Sequence, residues 1–276
     1  MDNTILIVGI GVVSFIAIVL NFLPQILRVL GYHPKYKKVD YALQGKKALL
    51  ISTSHDTLGE TGKATGVFAS ELTIAYYEFI DAGMTVDIAS IQGGEIPFEP
   101  RSLNYPMTSH ADRRYLKDET ALNKTRNSLK VDDVDFLDYD IIWMAGGWGA
   151  AYDLGYSQVL GEKISKAHAE GILLGSVCHG ALGFRMATEV DGKPLVEGKT
   201  MTGVSDKQIQ ELRIEMTPLH PETELRKQKA NYVSGSGFRD FLATCVAVDG
   251  NIVTGQNQNS SGETAQELLR LLNEKV

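Results

Sequence analysis

The stretch Ile172-Leu173-Leu174-Gly175-Ser176-Val177-Cys178-His179-Gly180-Ala181-Leu182-Gly183 decides the fold. An apolar run ends in Gly-Ser-Val-Cys, and small residues follow. That reads as a buried strand, a tight turn and the start of a helix. A side chain on such a turn is held at the strand's carboxyl end, as in the serine nucleophile elbow of hydrolases. Here it is Cys178, with His179 beside it as a base. At a helix N-terminus, unsatisfied N–H groups and the helix dipole favour a thiolate, so a depressed Cys178 pKa is expected. The competing reading is a buried structural cysteine, because free Cys is among the most buried residue types.

Outward from this stretch, strands and helices alternate. Lys47 to Thr53, Thr85 to Ile91 and Tyr139 to Ala145 read as buried strands. Helices are expected at Val67 to Ala82 and Ser157 to Glu170, with apolar residues at helical spacing in the first. A further helix is expected at Lys117 to Leu129, and another at Asp206 to Arg213. Asp249-Gly250 between two apolar runs predicts a hairpin, and Ser260 with Glu263 predicts a capping box for the last helix. The alternation argues an α/β fold with a doubly wound, mostly parallel sheet and helices on both faces. Ligands bind such sheets at the carboxyl ends of the strands. The Gly146-Gly147-Trp148-Gly149 turn, the Cys178 turn and the loop before Glu71 all fall at that edge. Glu71 sits at the margin of an apolar helix face, which is either a solvated edge or a buried carboxylate with a raised pKa.

The chain has 276 residues, a net charge of −7 and only two cysteines, Cys178 and Cys245. No basic run interleaves with aromatics, so nucleic acid is not an expected partner. Two distant cysteines make no disulfide framework, and no Cys-x-x-Cys or His-Glu-x-x-His spacing points to a metal. No cofactor is called for. From Asn3 to Leu27 there is no charge, and basic residues follow. A run of that length predicts a transmembrane helix over 1–28, contacting the membrane through residues 5–23. The positive-inside rule then predicts a single-pass cell-membrane protein with a cytoplasmic domain. A juxtamembrane linker at 29–44 and a soluble domain at 45–276 complete the expected organisation.

Several separated pieces carry a resemblance. They are Thr65-Gly66-Val67-Phe68 with Glu71, Asp81-Ala82-Gly83, Pro97 to Leu103, Gly146-Gly147-x-Gly149 with Asp153, Val177-Cys178-His179-Gly180 and Val248 to Asn257. In this order they resemble the PfpI family of the class I glutamine amidotransferase-like superfamily, closest to its glyoxalase III and heat-shock chaperone subfamily. The resemblance covers Gly45 to the C-terminus. It implies a flavodoxin-like fold, a nucleophilic Cys178, and Glu71 hydrogen-bonded near its sulfur. Two positions depart from the family pattern. Trp148 stands where the turn usually has His, and the acid that orients the histidine falls near Ile209. Glu211 or Asp206 can substitute as the third acid. The implied activity is a glyoxalase III-like lyase that converts methylglyoxal to lactate without glutathione, with backbone N–H groups of Gly147 and His179 holding the oxyanion. A stress-response chaperone or redox sensor, and an amidase or peptidase, are the alternatives. A small aldehyde is the expected partner, and a homodimer is left open.

Overall fold

The computed structural model describes residues 15, 19, 22–23, 25–214, 216–237 and 239–275. The chain divides into two compact units, Met1–Lys35 and Tyr36–Val276. Among the described residues no helix is long and apolar enough to cross a membrane. This overturns the expected transmembrane helix, its membrane contact through residues 5–23 and the single-pass cell-membrane placement. Much of that run also lies outside the described residues. The physical reason is that a span needs about 20 apolar residues in one unbroken helix. Hydropathy tests only the apolar half of that condition.

The second unit begins at Tyr36, ahead of the expected domain start near Gly45. Tyr36 donates to Glu78 Oε1 at 2.7 Å, the Val39 N–H donates to Gln266, and Leu43 is buried. The segment thus packs as part of the domain.

Strand β1 (Lys47–Ser52) leads to α1 (Ala69–Asp81) and β2 (Thr85–Ser90). Two short helices follow, α2 (His110–Tyr115) and α3 (Glu119–Arg126), where one helix over Lys117 to Leu129 is expected. Asp118 caps α3 by accepting from Thr120 and Ala121, which fixes the break between them. Then come β3 (Leu129–Lys130), β4 (Ile141–Met144), α4 (Gln158–Ala169) and β5 (Leu173–Val177). The remainder is β6 (Thr200–Met201), α5 (Asp206–Leu212), α6 (Pro221–Lys227), β7 (Asn231–Tyr232), β8 (Val246–Asp249), β9 (Ile252–Gly255) and α7 (Ser261–Asn273). Ser205 and Gln208 form a capping box at the start of α5. Ser260 precedes α7 but makes no side-chain cap, so the expected box with Glu263 does not form.

The main sheet runs in the order β3-β2-β1-β4-β5-β9-β8. Every pair is parallel except β8 with β9, which meet as the expected hairpin at Asp249 and Ile252. Two cores form, one on each face. Leu50, Leu72, Phe79, Trp143 and Leu268 fill one. Leu49, Ile51, Met144, Leu160 and Phe184 fill the other. Residues next to each other in β1 and β4 therefore enter opposite cores, as a strand buried on both faces requires. The chain leaves β1 for β2 on one side and returns to β4 on the other. This reversal of strand order opens a crevice at the strands' carboxyl ends, where β1, β4 and β5 deliver their following loops.

Candidate active site

Cys178 sits immediately after β5, with a left-handed backbone at φ +58. Few non-glycine residues adopt this conformation, and such residues cluster where function requires them. Residues Cys178–Phe184 form a 3-10 helix, not the α-helix expected after the strand. Cys178 is 7% exposed, and His179 is fully buried. The backbone N–H groups of Gly147 and His179 face the sulfur and favour its negative form. They are the two donors expected for an oxyanion.

Glu71 comes from the first turn of α1 and is fully buried, so the solvated-edge alternative falls. Trp143 Nε1 donates to the Glu71 carbonyl at 2.9 Å, which pins this turn to β4. Gly146 makes the approach between Glu71 and the turn feasible. A Cβ there would lie 2.5 Å from Glu71 Oε2 and 2.7 Å from the His179 nitrogen. Neither carboxyl oxygen makes a hydrogen bond of good geometry. Burial pushes the Glu71 carboxyl up to about 8, and its looser contacts with Cys178 and the Gly146 N–H only partly oppose that. Near neutral pH the group is therefore mostly protonated.

Burial also raises the Cys178 thiol well above its usual range, and the Glu71 charge adds to the rise. This reverses the expected depression. A 3-10 turn in a dry interior offers less helix dipole than an α-helix facing water, and desolvation of the thiolate dominates. Glu71 and Cys178 titrate as a pair whose first proton is the easier to remove.

His179 Nδ1 lies 3.6 Å from the sulfur. Its Nε2 has no hydrogen-bond partner among the described residues. Burial first, then the neighbouring His220, lowers the imidazole to about 3, so His179 is neutral. Neither expected third acid is bonded to it. Asp206 Oδ1 lies 3.6 Å from His220 Nδ1, and Asp206 Oδ2 accepts from Thr223 at 2.7 Å. Glu211 accepts from the Phe241 N–H at 3.3 Å and stands 3.9 Å from Lys207. Ile209, at the position where an acid was expected, is buried.

His220 was missed from the sequence. It precedes α6, a short helix with no long apolar stripe, whose available signal was Pro221 as a helix-starting residue. Trp148, which replaces the expected turn histidine, is buried with Leu58 and Ile214, and Arg101 lies 5.2 Å above its ring. Glu99 anchors that segment by accepting from Thr65 and from the Arg101 N–H. Among the described residues no group of His, Cys, Asp and Glu is placed to hold a metal ion. The arrangement suits addition of a thiol to a small electrophilic carbonyl: a nucleophile, a carboxyl with a near-neutral pKa, and two fixed donors for the developing charge.

A model of the DJ-1/PfpI family matches residues 63–271. The chain is similar to the glutathione-independent glyoxalase HSP31 of Saccharomyces cerevisiae, at 30% identity over 80% of this chain and 95% of the relative. It is similar to glyoxalase 3 of Candida albicans at 28% identity, covering 81% and 97%. Among solved structures, the rapid encystment protein of Francisella tularensis superimposes with a TM-score of 0.77 at 31% identity, covering 82% and 99%. Glyoxalase III of Candida albicans gives 0.72 at 26% identity, covering 82% and 96%.

Proposed function

Because the chain belongs to the DJ-1/PfpI family, we propose that it is a glutathione-independent glyoxalase acting on 2-oxoaldehydes through Cys178. Methylglyoxal is the model substrate and lactate the product. The observation that carries the reading is the placement of Glu71 beside Cys178, both buried, with the carboxyl raised to about 8. A general base works best with a pKa near the working pH.

The steps balance without an oxidant. The sulfur bonds to the aldehyde carbon, the carbonyl π bond breaks, and the thiol proton reaches the new oxygen through Glu71. The oxyanion that precedes this transfer lies on the N–H groups of Gly147 and His179. Glu71 as carboxylate then takes the hydrogen from the former aldehyde carbon and returns it to the neighbouring carbon. In the same rearrangement the hydroxyl proton moves to the neighbouring oxygen, and neutral His179 is the group placed to carry it. The result is a thioester of the 2-hydroxy acid. Water attacks the thioester carbonyl, the S–C bond breaks, the sulfur regains a proton, and the hydroxy acid leaves.

The test is lactate formation by the full chain from methylglyoxal in the absence of glutathione. Turnover in the wild type and its loss in Cys178→Ala are expected. A wild type that is alkylated by the aldehyde but releases no lactate overturns the reading.

A further inference from the structure

Glu71 carries the proton transfers of the proposed reaction, yet its carboxyl has no firm anchor of its own. The group is fully buried, and neither oxygen makes a hydrogen bond of good geometry. Its place is therefore set by the backbone from which it hangs. That backbone is the first turn of α1, the part of a helix that frays unless its free N–H groups are capped. Phe68 at the N-cap makes no side-chain hydrogen bond to the turn. Another contact has to fix it.

Trp143 supplies that contact. Its Nε1 donates to the Glu71 carbonyl at 2.9 Å, and no other side chain bonds the backbone of this turn among the described residues. An indole N–H is a donor only, and once buried it needs such a partner. The indole is fully buried, and Phe79, further along α1, meets it edge to face with ring centroids 6.2 Å apart. The end of the indole away from its N–H lies on the strand that carries the nucleophile. Trp143 in β4 is the register partner of Gly175 in β5, three residues before Cys178. A Cβ on Gly175 would lie 2.9 Å from Trp143 Cε3 and 2.5 Å from Leu268 Cδ1. Glycine thus clears the space in which the ring lies. One rigid side chain touches both the helix of Glu71 and the strand of Cys178.

We infer that Trp143 is a positioning residue of this site: its indole spans β5 and the first turn of α1 and sets where the Glu71 carboxyl stands relative to the Cys178 sulfur. It acts through Glu71 and takes no part in the chemistry. If the indole only filled the core, its packing would matter and its N–H would not. As a positioning residue it governs the rate of proton transfer more than the binding of the aldehyde, because a displaced base costs rate while the substrate's own contacts stay. The inference rests on the glyoxalase reading.

The test compares the full-length wild type with Trp143→Phe, Phe79→Leu and Gly175→Ala. For each, lactate formation from methylglyoxal is measured across a pH series, beside a denaturant midpoint. Trp143→Phe keeps an aromatic ring and loses the N–H. Its kcat should fall at least about tenfold, since a misplacement of about 1 Å costs up to about a hundredfold, while KM stays within about twofold. The rise of kcat/KM with pH, centred at about 8 in the wild type, should move to lower pH, because a carboxyl released from its dry position gains water. Phe79→Leu removes packing from the same ring and leaves the N–H in place. It should lose stability but keep the wild-type kcat and pH midpoint. Gly175→Ala displaces the indole with its N–H intact, so it should follow Trp143→Phe in both readouts by a smaller amount. Unchanged kcat and pH midpoint in Trp143→Phe overturn the inference and leave the glyoxalase reading standing. The same loss and shift in Phe79→Leu also overturn it, since packing alone then accounts for them. If Trp143→Phe does not fold, Gly175→Ala decides, and a wild-type profile in that variant overturns the inference. A wild type with no lactate formation overturns the parent reading and this inference with it.

Discussion

Cys178 holds a left-handed backbone, which costs an L-residue roughly 1–2 kcal/mol. The surrounding turn bears that cost because the strained geometry aims the sulfur at two backbone N–H groups. In the proposed mechanism Glu71 controls the reactivity. Its carboxyl is raised to about 8 by burial, so kcat/KM for methylglyoxal should rise with pH through that value. Glu71→Gln should flatten the rise and lower the rate by about 10²–10⁴, the usual range for a lost general base. A wild-type profile flat from pH 6 to 9 would count against this. The Glu71 charge also opposes thiolate formation at Cys178. Alkylation of Cys178 in Glu71→Gln should therefore shift to lower pH than in wild type, read by iodoacetamide labelling across a pH series. The same burial has a stability consequence. Folded Glu71 keeps its proton to about 8, whereas the unfolded group loses it near 4.5. Between those values the native state binds more protons, so its stability falls as pH rises. Urea unfolding of wild type and Glu71→Gln should diverge from pH 4.5 to 8, with the variant ahead by at most roughly 5 kcal/mol. A gap that does not change with pH would show that Glu71 ionises normally.

The site is assembled by the ends of elements more than by their interiors. Strand β5 delivers Cys178, the turn after β4 delivers the Gly147 N–H, and the first turn of α1 delivers Glu71. These three meet because Gly146 leaves no side chain between them. Gly146→Ala should cost about 1–3 kcal/mol by overpacking, and it should depress activity further than stability alone explains. Its Cβ would meet the Glu71 carboxyl oxygen and the His179 and Val177 backbone, so relief must displace groups of the proposed site. The check is a denaturant midpoint measured beside kcat. Full activity in a folded Gly146→Ala protein would show that this close approach is dispensable. The 3-10 turn after Cys178 belongs to the same scale. It explains why a thiol at the start of a helical segment is raised here: the burial that holds the turn in place outweighs the dipole that the sequence led one to expect.

At the scale of the whole molecule, the unit Tyr36–Val276 contains both cores, the complete sheet and every site residue. A chain starting at Tyr36 should fold and keep wild-type kcat. A chain starting at Gly45 should be less stable by roughly 3–5 kcal/mol, from the lost burial of Leu43 and the lost hydrogen bonds to Glu78 and Gln266. Thermal unfolding of the two truncations distinguishes these outcomes. Equal stability would mean that residues 36–44 contribute nothing to the fold.

By itself the sequence determined the parallel sheet, the order of its main elements and the place of the candidate nucleophile. Those features are written in short range. A buried strand is an apolar run, a turn is a run of glycine and small residues, and Cys178 lies between the two. The sequence also marked Glu71, though helical periodicity could not distinguish a wet edge from a buried one. Only the tertiary structure decided that question, because burial depends on what packs over a face. It decided the direction of the Cys178 shift for the same reason: desolvation is a property of the surroundings and not of the local chain. It separated Asp206 from His179 and joined it to His220, a pairing that depends on how α5 and α6 meet beside Gly203. Against the membrane span that hydropathy suggested, it holds no helix among the described residues that is long and apolar enough to cross a membrane, since hydropathy measures the solubility of side chains and not the length of a helix.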